Sequence, residues 1–283
     1  MDLLTLNRRA WDRQAADGGP WSRPVGPDTI ARARTGEWNI RLTPNRDVPS
    51  SWFPELTDCP TLCLAGSGGQ QAPVLAAAGA AVTVLDNSPV QLDVDRRIAD
   101  REDLDIRLDL GDMRDLSRYR DQCFELIVNP VSNCFVDDVR RVWQECFRVL
   151  RPGGRMLSGF LNPAFFIFDE EADRDRGLLQ VRHRLPYSDV AFLSATDIER
   201  RVTAGDPLTF SHDLESQLGG QTDAGFLLAG LYEDDWDDSA TTLNRYMATS
   251  IATFAVRPEP ADSAGVHHQG TAGRHRDKAA GND

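Results

Sequence analysis

The stretch Thr61-Leu62-Cys63-Leu64-Ala65-Gly66-Ser67-Gly68-Gly69-Gln70-Gln71 decides the fold. A short apolar run breaks on a glycine loop, and a helical pattern over 70–79 follows, stopped by Gly79. Strand, tight turn and helix in that order open a parallel βαβ unit. Val82-Thr83-Val84-Leu85-Asp86 reads as the second strand. Ser88-Pro89-Val90-Gln91 then starts a helix, with a serine cap, proline at the first helical position and a glutamine that completes a capping box. Residues 104–110 give a third strand and Phe124 to Asn129 a fourth. Val139, Val142, Trp143, Cys146, Phe147 and Leu150 lie on one face of a helix. Arg151-Pro152-Gly153-Gly154 closes that helix, and 155–160 is a fifth strand. Residues 213–223 read as helix, and 226–232 and 251–256 as two more strands. The alternation predicts an α/β fold: a doubly wound, mostly parallel, seven-stranded Rossmann-like sheet with helices on both faces.

Three segments stand outside this pattern. Residues 1–55 form an N-terminal cap or leader, expected with the insertion below to close over the acceptor; its Trp11, Trp21, Trp38 and Trp52 either pack over a ligand or anchor the leader to the sheet. Within the main domain, 56–257, an insertion after strand five (162–211) holds a hairpin near Pro186 and a helix near 195–203, and is expected to act as a substrate lid. Residues 258–283 are rich in Ala, Gly, Asp and His without apolar periodicity, and are expected to be disordered.

Composition narrows the function. The 283 residues hold 31 Lys and Arg against 44 Asp and Glu, a net charge of −13. Nucleic-acid binding draws on a basic footprint, so no nucleic-acid partner is expected. The chain has no apolar run long enough to span a bilayer and no apolar N-terminal stretch of secretory length, which predicts no membrane partner and a cytoplasmic location. Cys59, Cys63, Cys123, Cys134 and Cys146 lack zinc-site spacing and read as buried small hydrophobes, with no metal site expected. The sequence leaves the oligomeric state open.

In an open parallel sheet, ligands bind at the carboxyl ends of the strands, where the strand order reverses. Four features fall there. Ala65, Gly66, Ser67, Gly68 and Gln70 form a loop whose backbone can approach a ligand, although Gln71 stands where a dinucleotide fingerprint has its third glycine. Asp86, 20 residues beyond Gly66, can accept both hydroxyls of a ribose, with Asn87 beside it and Gln91 either reaching the ligand or closing the helix cap. Asp112 and Met113 suit an adenine, one accepting from the amino group and the other covering the ring. Asn129 and Pro130 open a loop to Phe135 that faces the ligand's reactive end. The catalytic candidates are His212, as a base or else a core histidine, and Asn133, orienting the acceptor or else serving a turn. Tyr187 is placed near His212. The run Glu233 to Asp238 reads as a solvated acidic loop.

With these residues in order, the run from Leu62 to Phe160 resembles the class I S-adenosylmethionine-dependent methyltransferases, in particular the small-molecule group of the ubiquinone-biosynthesis type. The resemblance implies S-adenosyl-L-methionine as cofactor, an antiparallel last strand, and methyl transfer to an O, N, S or C atom of a small-molecule acceptor. This sequence departs from the family in two places. The usual loop is close to D-x-G-x-G-x-G, and here Cys63 and Leu64 stand where the acid would be, which implies either weaker cofactor binding or that Gln70 and Gln71 take its place. Asn129-Pro130-Val131-Ser132 is similar to the N-P-P-[YF] loop of amino-group methyltransferases, but lacks its second proline and its aromatic residue. The alternatives are an NAD(P)-dependent oxidoreductase on a related sheet, disfavoured by Gln71 and the Asp112-Met113 pair, and a non-catalytic cofactor-binding member of the methyltransferase fold.

Overall fold

The strands β1 (Pro60–Leu64), β2 (Ala81–Asp86), β3 (Ile106–Leu110), β4 (Phe124–Asn129), β5 (Leu150–Leu161), β6 (Leu227–Asp234) and β7 (Ser250–Val256) form one sheet in the order β3-β2-β1-β4-β5-β7-β6. The structure, a computed structural model, describes residues 2–237 and 239–260. Almost all of the tail predicted over 258–283 therefore lies outside the described residues. The first five strands run parallel, and β7 is antiparallel to both β5 and β6. The mostly parallel seven-stranded sheet is as predicted. The strand order reverses beside β1, which pairs with β2 on one side and β4 on the other, so a crevice opens at its carboxyl end.

The helices are α1 (Leu3–Ala16), α2 (Pro27–Arg34), α3 (Gln71–Ala77), α4 (Pro89–Glu102), α5 (Val139–Val149), α6 (Glu170–Arg176), α7 (Asp189–Phe192), α8 (Ala195–Ala204) and α9 (Gly220–Asp223). Alternation along β1 divides the core in two. Leu62 and Leu64 join Val142, Trp143, Cys146 and Val149 of α5 on one face. Cys63 points to the other, with Val74 and Leu75 of α3 and the leader's Ile30, Leu42, Trp52 and Phe53. Both faces are covered, which is why the central strands read as unbroken apolar runs.

Two local readings change. The predicted capping box forms by half: Ser88 Oγ accepts from Gln91 N–H at 3.1 Å, but the Ser88 N–H donates to Asp86 Oδ1 at 2.9 Å, so the Gln91 side chain has no cap to close. The hairpin expected near Pro186 is absent among the described residues. That segment instead carries α6, α7 and α8, with only isolated bridges such as Ser188 to Phe210.

Candidate functional site

A cavity of about 610 Å³ lies at the carboxyl ends of β1, β2 and β4. Its floor includes Ala65, Gly66, Ser67, Gln70, Asp86, Asn87, Gln91, Asp112, Met113 and Pro130, ten of the predicted cofactor residues. Its roof is the leader: Leu3, Leu4, Asn7 and Trp11 of α1, the turn from Pro20 to Val25, and the loop 39–44.

Asp86 holds the floor together. Its Oδ1 accepts from Ser88 N–H and its Oδ2 from Ser67 N–H at 3.2 Å. Burial pushes its carboxyl up to about 6, against the pull of those two N–H donors. Gln91 is buried, and its Oε1 has no protein partner; Ser67 Oγ is in the same condition. Asp112 is less free than the sequence suggests, since the Arg114 guanidinium and backbone N–H bind it at 2.6–3.1 Å. Gln70 donates to Pro20 O at 3.2 Å and Gln71 to Arg41 O at 3.0 Å, so both glutamines tie the roof to the floor. Asn87 does the same, donating to Leu4 O and accepting from Arg8 Nε.

Four predicted residues do not line the cavity. A Cβ built on Gly68 would lie 2.3 Å from Trp21 O, so that glycine makes room for the leader rather than for a ligand. Asn129 is fully buried and donates to Leu64 O and Ser132 Oγ, each at 2.8 Å, which fastens β4 to β1. Asn133 is paired reciprocally with Gln217 at 3.1 and 3.2 Å. His212 is buried, with Nε2 at 2.9 Å from Val136 O and 3.2 Å from Asn133 O. Two carbonyl partners require a proton on Nε2, so this nitrogen is a donor and not a base. Burial also holds the His212 pKa below its ordinary value. The geometry therefore corrects the catalytic reading of His212 and Asn133. Tyr187 is likewise engaged elsewhere, donating to Asp189 at 2.7 Å. His212→Ala should leave turnover within about threefold of the parent while lowering thermal stability, because two buried carbonyls lose a donor at a cost of about 1–3 kcal/mol. A kinetic assay alongside a thermal melt checks it.

The two segments expected to cover the acceptor differ in what they reach. Of the insertion 162–211, only Thr209 reaches the cavity. The leader takes the covering role because Asn7 pins α1, donating to Phe135 O at 2.8 Å and accepting from Leu208 N–H at 2.8 Å. Three of the four leader tryptophans divide between the two predicted roles. Trp11 and Trp21 line the cavity, and Trp21 meets Trp236 edge to face at 5.4 Å. Trp52 stacks on Tyr232 and Phe254, anchoring the leader to the sheet, and Trp38 packs on Phe53 within the leader. Trp236 was hidden in the acidic run, whose Asp234 accepts from the Asn45 and Arg46 N–H groups and fixes the loop 39–46.

A methyltransferase family matches this architecture. Residues 62–158 match the family described as "Methyltransferase domain". The chain is 45% identical over 255 residues to the Bacillus subtilis (strain 168) protein named "Uncharacterized methyltransferase YbaJ", covering 90% of this chain and 98% of that one. Among solved structures, geranyl diphosphate C-methyltransferase from Streptomyces coelicolor A3(2) superposes with a TM-score of 0.58 at 15% identity, covering 91% of this chain and 98% of that one. An S-adenosylmethionine-dependent methyltransferase from Mesorhizobium loti superposes with a TM-score of 0.56 at 17% identity, covering 73% and 94%. The chain belongs to the class I S-adenosylmethionine-dependent methyltransferases. The nicotinamide alternative falls with that assignment.

Proposed function

We propose that this enzyme methylates an apolar small molecule, with the cofactor held on the floor by Asp86, Gln91 and the loop 65–67 and the acceptor enclosed by the leader. One observation carries the reading: beyond Asp86 and its neighbours, much of the cavity wall is apolar. Asp86 stands at the carboxyl end of β2, with Ser67, Asn87 and Gln91 beside it in the wall. Several other polar side chains of the wall are already used. Ser132 Oγ donates to Pro130 O, Thr209 Oγ1 to Asp189, and Asn7 serves backbone groups. The Asp86 carboxylate suits the ribose hydroxyls of the cofactor. Leu3, Leu4, Trp11, Phe135 and Leu161 also line the cavity and suit an apolar body.

When bound, the cofactor supplies a methyl group on a sulfonium, already electrophilic. The chain's own task is alignment and exclusion of water, and alignment alone is worth roughly 7–11 kcal/mol. The leader excludes water, and the loop from Pro130 to Ser132 lines the same cavity. Cys134 lines the same wall, but burial pushes its thiol up to about 12, so it takes no nucleophilic part.

Transfer of labelled methyl groups to a panel of apolar metabolites, beside polar ones, tests the proposal. Label confined to polar acceptors contradicts it. The Asp86 carboxyl, at about 6 in the free protein, also sets a pH profile. Hydroxyl donors favour its charged form, so ligand binding lowers its pKa and releases a proton. Affinity for S-adenosylhomocysteine should therefore weaken as pH falls through about 6 and level off above it, which titration calorimetry at several pH values reads directly.

A further inference from the structure

Asp95 lies at the middle of α4, fully buried, and no cavity-lining role accounts for it. Its Oδ2 accepts from Gly68 N–H at 3.0 Å, and its Oδ1 has no partner. A buried carboxyl with an unpaired oxygen is costly, and an apolar side chain of the same shape would pack there without that cost. What Asp95 does hold is the glycine loop. Ala65, Gly68 and Gly69 all have positive φ, at 47°, 114° and 76°, so the loop has little regular hydrogen bonding of its own. Two carboxylates tether its N–H groups: Asp86 at Ser67 and Asp95 at Gly68. Asp86 faces the cavity and must also serve a ligand, which leaves Asp95 as the anchor that binding does not disturb. The atoms left without partners, Ser67 Oγ and Gln91 Oε1, flank the same loop, and Gln91 is one helical turn before Asp95.

Resting on the cofactor reading above, we propose that Asp95 is a positioning residue that fixes the loop at Ser67 and Gly68 in its ligand-binding shape without touching the ligand. The hydrogen bond to Gly68 does this, and asparagine keeps an oxygen acceptor for it.

The test uses the full chain, with S-adenosylhomocysteine as probe. Asp95→Leu keeps the branched shape and removes the acceptor. Asp95→Asn keeps the acceptor. The expected result is a leucine variant that still folds, with the Gly68 N–H left unpaired, yet binds at least tenfold more weakly, and an asparagine variant that binds within about threefold of the parent. Parent-like binding by Asp95→Leu overturns the proposal, and so does a leucine variant that fails to fold, which would assign Asp95 to the core. An asparagine variant as weak as the leucine one also overturns it. If the parent itself does not bind the probe, the cofactor reading fails first and this inference falls with it.

Discussion

Gly68→Val loses S-adenosylhomocysteine binding by about a hundredfold or more. At φ 114° a valine is strained by about 1–3 kcal/mol. Its Cβ would also lie 2.3 Å from Trp21 O and 3.4 Å from Ser22 Cα, both backbone atoms that no side-chain rotation can move. Relief requires the turn 20–25 to lift from the loop, taking with it Trp21, Arg23 and Pro24 of the cavity wall. Each 1.4 kcal/mol is a tenfold change in affinity, so strain and displacement together reach the expected loss. Calorimetry measures the affinity, and limited proteolysis within 20–26 reports whether the turn has lifted. Parent-like binding with a protected turn contradicts the packing of leader on loop.

Asp86→Ala binds the same ligand roughly ten- to a hundredfold more weakly. Removing a charged acceptor from a closed site costs about 1.5–3 kcal/mol. The loss here includes the tether on Ser67 N–H and the bond to Ser88 N–H, which position the loop and the start of α4. Circular dichroism checks that the fold survives. Unchanged affinity in the folded variant removes Asp86 from the site.

The parts of the molecule legible in the sequence are those with strong periodicity. α5 carries its apolar residues on one face, and β1, β2 and β4 are apolar runs bounded by glycine or asparagine. The leader was not legible as structure. α1 buries Asn7 and Ala10, a polar and a small residue, so its inward face gives no hydrophobic pattern. The loop 39–44 has no periodicity at all, yet it lines the cavity and presses Leu42 O to where a Cβ on Gly159 would stand. His212 looked catalytic because few histidines lie in the ordered part of the chain, and only the distances to Val136 O and Asn133 O show its structural use. Asp95 was passed over beside Asp93 in a helix with many charges. Its signal was positional: it lies one turn after Gln91 and one turn before Ile98 and Ala99, all on the buried face of α4.

The location of the cofactor is open to one direct measurement, a crystal structure with S-adenosylhomocysteine. It should place the ribose on the floor of the cavity, with both hydroxyls about 2.5–3.0 Å from the Asp86 carboxylate, and the amino-acid end beside Ser67 and Gln91. A ribose bound away from Asp86, or a ligand outside the cavity under the leader, would contradict the site assigned here.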